Sequence, residues 1–317
     1  MSKRFALTGA AGYIAPRHLR AIQDTGNELV AILDPHDSVG IIDSYFPEAR
    51  FFKEPERFDR HLEKLRRKGK GSSIDWMTVC SPNYLHDAHI RMALRVGADV
   101  ICEKPLVLNP WNIDAINELE TETGKNVYCL LQLRNHPEVS KLREMYHSSE
   151  PERKAEISVT YIAPRGVWYL SSWKGDPERS GGLASNIGVH FFDMLLWIFG
   201  KVIDSHVYVS KATKSAGYIE LERAQVHWYL SIDREDLAFT VSKDSDTYRS
   251  MTVNGEEVDL SGGFKDLHTA TYRAILEGTG TRCTECRDTI QLLHDIRNAE
   301  PESLDSNGSD FIRKGMC

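Results

Sequence analysis

The 317-residue chain has no long apolar run. The longest stretch, Phe191 to Phe199, is interrupted by Asp193 and falls well short of the roughly 20 residues that span a bilayer. The start, Met1 to Leu7, carries two basic residues but too short an apolar segment before Gly9 for a signal-peptide core. Cysteine is scarce. Cys80, Cys102, Cys129, Cys283, Cys286 and Cys317 are too few and too scattered for a disulfide framework, so a reducing compartment fits best. Positive charge is not in excess: 39 Lys and Arg against 46 Asp and Glu leave −7, a field that does not attract nucleic acid or anionic lipid. Repeats and low-complexity tracts are missing, and only Pro301 to Asp310 is loosely polar. These absences predict a soluble cytoplasmic protein with no nucleic-acid and no membrane partner. What is present, 41% hydrophobic and 27% charged residues, suits a chain that buries ordinary cores, and the length suggests two domains. An anionic ligand would have to be held by local basic residues.

The first 130 residues alternate strand-like runs with helical patterns, which predicts βαβ units and a parallel sheet. The expected strands are Arg4 to Thr8, Leu29 to Leu33, Trp76 to Cys80, Asp99 to Cys102 and Asn126 to Leu131, with helices such as Asp87 to Val96 and Trp111 to Thr121. The cations between Lys64 and Lys70 read as a helix C-terminus, where they complement the macrodipole. Residues 131–317 change character. Ala155 to Tyr161, Ser205 to Ser210, Ala224 to Ile232, Ala238 to Val241 and Tyr248 to Val253 read as strands of a mostly antiparallel sheet, with helices Val189 to Phe199 and Leu267 to Leu276 covering one face. The predicted fold is α/β: a doubly wound N-terminal parallel sheet over 1–130 and an α+β second domain over 131–317.

Three groups of residues carry chemistry. Gly9-Ala10-Ala11-Gly12-Tyr13-Ile14-Ala15 follows a strand and opens a helix, where glycine allows backbone amides to approach a pyrophosphate. Its glycine spacing is one residue longer than the usual dinucleotide fingerprint, and Ala15 replaces the last glycine. Asp34, at the end of the next strand, can accept ribose hydroxyls and repel a 2′-phosphate, which favours NAD over NADP. Cys102-Glu103-Lys104-Pro105 lies at the carboxyl end of a strand, the edge at which open α/β sheets bind ligands; Lys104 there can stabilise an alkoxide or take a proton. Gly181-Gly182 through Ser185, Asn186, His190 and Asp193 places His190 and Asp193 three apart at a helix start, so a carboxylate can orient a base. Cys283-Thr284-Glu285-Cys286 lacks a second pair or a ligand histidine, and no metal is expected.

Taken together, the glycine turn with Asp34, Glu103-Lys104-Pro105 and the His190-x-x-Asp193 block resemble the Gfo/Idh/MocA family of NAD(P)-dependent sugar oxidoreductases over nearly the whole chain. Ser81-Pro82-Asn83-Tyr84-Leu85-His86 matches the family's strand-end loop near the cofactor. Gly9 to His18, Gln132 to Pro137, and Pro164-Arg165-Gly166 through Trp173-Lys174-Gly175 are similar to its WlbA and WbpB subgroup. The resemblance implies an enzyme, a dehydrogenase that oxidises the 3-hydroxyl of UDP-N-acetylglucosaminuronic acid on the way to bacterial surface polysaccharide (O-antigen, lipopolysaccharide), with NAD as cofactor and a homotetramer as the assembly. It also implies cofactor contacts from Gly9, Gly12, Tyr13, Ile14, Asp34, Ser81, Asn83, His86, Glu103 and Lys104. Asn186 departs from the aspartate that many family members carry, and an uncharged residue there suits an anionic uronate.

Arg165, Lys174 and Arg179, set among Trp168, Tyr169 and Trp173, can hold the charges and uracil of a nucleotide sugar; a solvated loop or an oligomer contact is the alternative. The expected substrate residues are Arg165, Tyr169, Trp173, Lys174, Ser185, Asn186 and Asp193. Arg134 and His136, at the end of the last strand of the first domain, fit ligand contact and, nearly as well, packing at the domain junction. Lys104 and His190 are the expected catalytic pair, and either could be the base. Two other readings of the chain are an NAD-dependent glycosidase that oxidises C3 transiently and an NAD-binding regulator without turnover.

Overall fold

A computed structural model describes residues 2–69, 71–148, 153–240, 246–260, 267–303 and 312–313. Cys317, Lys70, Val241 and the tail beyond Ser303 to Asp310, all named above, lie outside them. The chain divides into two compact units. The first holds the described residues up to Gln132 together with Leu267 to Arg287; the second holds those between and the remainder.

In the first unit, β1 (Arg4–Thr8), β2 (Glu28–Leu33), β3 (Arg50–Phe52), β4 (Trp76–Val79), β5 (Asp99–Cys102) and β6 (Val127–Cys129) form a parallel sheet in the order β3-β2-β1-β4-β5-β6. The order reverses between β1 and β4, the switch point outside which doubly wound sheets bind dinucleotides. All four residues of β4 are buried, as expected for a strand covered on both faces. The crossovers include α1 (Ala15–Asp24), α2 (Pro55–Arg67), α3 (His86–Arg95) and α4 (Pro110–Thr123). Helix α2 buries Phe58 and Leu62, one turn apart, and ends on Lys64, Arg66 and Arg67, as its basic cluster predicts.

The second unit begins with α5 (Pro137–His147) and β7 (Ala155–Ile162), followed by the short α6 (Trp168–Ser171) and α7 (Pro177–Ser180). After a π turn, Ala184–Gly188, come α8 (Val189–Phe199), β8 (Val202–Ser210), β9 (Lys214–Leu221), β10 (Ala224–Ser231), β11 (Tyr248–Val253) and β12 (Glu256–Glu257). The strand order is β12-β11-β7-β10-β9-β8, and every pairing is antiparallel except β7 with β10. The helical run Pro177–Phe199 is long and apolar enough to cross a membrane but is mostly buried inside the protein. Phe192 packs edge-on against Trp228 of β10, at 5.3 Å between ring centroids, which marks α8 as a core helix of this unit.

Two expectations are corrected. Ala238 and Phe239 belong to a 3-10 turn, Arg234–Phe239, whose start is capped by Asp233 accepting from the Glu235 amide. The helix Leu267 to Leu276, here α9 (Leu267–Leu276), does not serve the second sheet. It packs on α1, and its Tyr272 and Ile275 lie in the core of the first unit with Phe5, Leu19 and Trp76. The first unit therefore takes in more than residues 1–130, and the 3-10 turn Cys283–Cys286 and α10 (Arg287–Asn298) follow it.

Candidate active site

In the first unit, Gly9 leaves β1 with φ +91° and donates its amide to the Leu33 carbonyl at 2.8 Å. A Cβ at this position would lie 2.4 Å from the Cys80 carbonyl oxygen, so only glycine fits. The turn closes through Gly12 N to Gly9 O (3.1 Å) and Ala15 N to Gly12 O (3.1 Å). Helix α1 then starts at Ile14 without a side-chain cap and with a proline in its first turn. In the first turn of α1 Pro16 has no N–H, and Ala15 N and Arg17 N donate to the Gly12 and Ile14 carbonyls, so the backbone that can approach a pyrophosphate is that of the glycine turn leading into the helix, at Tyr13 and Ile14. Tyr13 stands 90% exposed at the same corner. Asp34, at the end of β2, fastens the turn: Oδ2 accepts from Ala11 N at 2.8 Å and Oδ1 from His36 N at 2.9 Å. Each oxygen keeps a second lone pair for a ribose hydroxyl.

The loops after β4 and β5 carry the other expected cofactor residues. Asn83 is buried and opens the 3-10 turn Asn83–Leu85. The Ser81 hydroxyl bonds His89 Nδ1 at 2.8 Å. His86 differs from the expectation. It is buried, with Nδ1 2.8 Å from the Pro105 carbonyl and Nε2 2.8 Å from that of Ser81, so no ring nitrogen is left for a dinucleotide; it ties the two loops together. Glu103 is likewise inward-facing, with Oε2 accepting from Lys104 N at 3.1 Å and Oε1 contacting His18 Nε2 at 3.0 Å and His268 Nε2 at 3.4 Å. Burial alone would raise Glu103, but the two imidazoles hold it well below the usual carboxylate range. His18, Glu103 and His268 offer donor atoms within 4.8 Å of one another, a spacing a metal could bridge. Both nitrogens of His18 are already engaged, the second by Tyr272 Oη at 2.8 Å.

Burial lowers the pKa of His18 and takes that of His89 down to about 4. Unfolded imidazoles titrate near 6.5, so below that pH the unfolded chain binds protons that the folded chain refuses. The stability is complete above about pH 6.5 and is lost as pH falls towards about 4. His89 alone accounts for about 2 kcal/mol by pH 5, a fall in Tm of about 4 °C or more. Thermal scans from pH 7 to 5 should show this slope, and His89→Gln should flatten it; a Tm independent of pH would contradict the assignment.

In the second unit, Gly181 (φ +82°) and Gly182 (φ +78°) turn the chain from α7 into the π turn. Such π segments are often found at functional sites. The turn carries Ser185, which is buried, and Asn186, whose amide donates to Tyr169 Oη at 2.6 Å. Tyr169 is itself buried on α6, so Asn186 pins the aromatic and basic segment to the turn preceding His190. Along that segment the Arg165 guanidinium bonds the Ala163 (3.1 Å) and Pro164 (3.0 Å) carbonyls, and Lys174 Nζ sits 3.9 Å from the centroid of the Trp173 ring. Arg179 pairs with Asp176 at 3.3 Å.

His190 is the second residue of α8, but Asp193 is not its orienting carboxylate. Asp193 is buried and held in bidentate fashion by Arg134 (Nε to Oδ2 2.9 Å, Nη2 to Oδ1 2.7 Å), with Thr289 Oγ1 at 3.2 Å. This charge-assisted pairing engages both oxygens and anchors α8. The Arg134 guanidinium also lies 5.6 Å from the centroid of the Trp197 ring, and His136 caps α5 by accepting from Glu138 N at 3.3 Å. The five described cysteines are buried free thiols, and burial pushes those of Cys80, Cys102 and Cys283 up, away from thiolate chemistry.

Residues 3–130 match the NAD-binding Rossmann-fold model of the GFO_IDH_MocA oxidoreductase family, and residues 153–257 match the C-terminal alpha/beta domain of the same family. A solved structure of the WlbA (WbpB) dehydrogenase from Thermus thermophilus, in complex with NAD and UDP-GlcNAcA, is 47% identical with a TM-score of 0.92, covering 97% of this chain and 98% of that one. A second structure of that protein holds NAD and alpha-ketoglutarate. Among curated relatives, the putative oxidoreductase YteT of Bacillus subtilis is 25% identical over 180 residues, 56% of this chain. The inositol 2-dehydrogenase of Rhizobium meliloti is 25% identical over 227 residues, 68% of this chain. The matched regions span 41% and 62% of those two relatives' lengths.

Proposed function

Because this chain belongs to the Gfo/Idh/MocA oxidoreductase family, we propose that it is an NAD-dependent dehydrogenase that converts the 3-hydroxyl of UDP-N-acetylglucosaminuronic acid to the ketone. The observation that carries the reading is the 47% identity, over 97% of the chain, to an enzyme solved with NAD and UDP-GlcNAcA.

Gly9, Gly12 and the start of α1 hold the pyrophosphate, Tyr13 and Ile14 flank it, and Asp34 accepts the ribose hydroxyls. Bound NAD supplies the hydride acceptor. The Lys104 ammonium hydrogen-bonds the reacting oxygen and stabilises the negative charge that grows there. His190 removes the hydroxyl proton, a task an imidazole performs near neutral pH. Lys174 and Arg179 hold the phosphates and the uronate, and Trp173 offers a face for the uracil. Asn186 places an uncharged group where a carboxylate would repel the uronate. The same reading makes the protein a cytoplasmic homotetramer on a route to bacterial surface polysaccharide. The row of half-buried rings His206, Tyr208, Tyr218 and His227 on the second sheet supports an interface there.

The test incubates the full chain with NAD and UDP-N-acetylglucosaminuronate, with and without 2-oxoglutarate, and follows sugar mass and NADH absorbance. The sugar should lose about two hydrogens. NADH should accumulate without the keto acid and stay low with it. Release of UDP without net NADH would replace the dehydrogenase by a glycosidase, and no change across a panel of UDP-sugars would leave only a binding protein.

A further inference from the structure

We propose that His18 is a positioning residue for Lys104: it fixes the Glu103 carboxylate, and Glu103 in turn fixes the main chain that carries the Lys104 ammonium. The inference rests on the assignment of Lys104 to the oxidation. His18 lies on α1, completely buried, and both of its ring nitrogens are committed. Nε2 is 3.0 Å from Glu103 Oε1, Nδ1 is 2.8 Å from Tyr272 Oη, and Tyr272 Oη is 2.9 Å from Thr78 Oγ1. The other oxygen of Glu103 accepts the Lys104 amide at 3.1 Å.

The donors can be assigned in only one direction. An ionised Glu103 can only accept, so Nε2 of His18 carries the proton and Nδ1 is the acceptor for the Tyr272 hydroxyl, which in turn accepts from Thr78. Burial keeps His18 neutral, in agreement with a single N–H on the ring. The groups facing His18 are Glu103, His268 and Tyr272, with Arg17 the nearby cation. The chain Thr78, Tyr272, His18, Glu103 thus joins β4, α9, α1 and the end of β5. Apolar side chains would fill this core at no risk of unsatisfied polar groups. What the polar chain adds is one fixed orientation of the carboxylate next to Lys104, and it makes that orientation depend on the helix that begins at the glycine turn.

The experiment compares His18→Leu, His18→Gln and Glu103→Gln in the full chain. The glutamine amide nitrogen can stand where Nε2 stands and donate to Glu103, whereas leucine cannot. His18→Leu should lower kcat by about thirtyfold or more, because small misplacements of a reacting group cost up to about a hundredfold. KM for UDP-N-acetylglucosaminuronate and Kd for NADH should stay within about threefold, since only the transition-state interaction is lost. His18→Gln should recover most of kcat. Glu103→Gln, which cannot accept from both neighbours, should lose about tenfold or more even if the leucine variant fails to fold. Equal losses in His18→Leu and His18→Gln with a parallel rise in Kd for NADH would reduce His18 to a packing residue and overturn the proposal. So would wild-type kcat in His18→Leu, or a stoichiometric divalent metal in the purified protein, which would make His18, Glu103 and His268 a ligand set. If the unaltered chain fails to oxidise the sugar, the premise fails first, visibly, and the proposal with it.

Discussion

Lys104→Met should lose at least about a thousandfold in the rate of NADH formation while still binding NAD. Lys104 stands two residues beyond β5, and its backbone amide is tied to the Glu103 carboxylate, so the residue is held at the carboxyl edge of the sheet. Methionine preserves much of the length and apolar stem and removes only the charge and the donors. A loss of that size corresponds to about 4 kcal/mol of transition-state stabilisation. The glycine turn, Asp34 and the start of α1 do not involve the Lys104 side chain, so NADH fluorescence titration should give a near-normal Kd. Stopped-flow or steady-state absorbance with UDP-N-acetylglucosaminuronate checks the first half, and the titration checks the second. Normal turnover by this variant would remove Lys104 from the chemistry and leave His190 to be tested alone.

Gly9→Ala should be the most damaging substitution in the first unit. The added methyl would sit 2.4 Å from the Cys80 carbonyl oxygen and 2.5 Å from Ser81 N, both backbone atoms that cannot rotate away. Its φ of +91° adds strain of about 1–3 kcal/mol for any residue with a Cβ. Relief of the overlap requires the turn to move, at a further cost of about 1–3 kcal/mol. The expected result is a fall in Tm of about 5 °C or more and weakening of NADH binding by about a hundredfold. Gly12→Ala provides the comparison: its Cβ would meet Gly9 O at 3.1 Å, tight but with less to displace, so the loss should be smaller. A Gly9→Ala protein that melts and binds like the wild type would show that the turn is not the dinucleotide seat.

Much of the first unit is written locally. Short apolar runs ending in Gly9, Asp34, Ser81 and Lys104 mark strands whose carboxyl ends carry chemistry, and the sheet places those ends along one edge. Pairings across long sequence distances are not local. Tyr272 meets His18 across 254 residues, and nothing in the periodicity of α9 says which sheet it covers. Arg134 claims Asp193 across 59 residues, so an acid three positions from a histidine looks like its partner and is not. His86 lies within a cofactor-loop motif, yet its role is to join two loops, and only the positions of the Ser81 and Pro105 carbonyls reveal it. Strand β9 is not legible in the sequence because Ser215, Ala216 and Gly217 offer little β-branched signal; Gly217 is needed where Trp228 and the His206 carbonyl crowd the strand.

The return of α9 to the first unit also has a consequence for synthesis. A chain emerges from the ribosome N-terminus first, and N-terminal domains usually fold while the rest is being made. Here six parallel strands are complete by Cys129, but the ring that closes their core, Tyr272, and its neighbour Ile275 are translated only after most of the second unit. Until then His18 and Thr78 lack their shared hydroxyl partner in an apolar interior. The dinucleotide-binding half, first in the sequence, is therefore among the last parts of the nascent protein to reach its finished form.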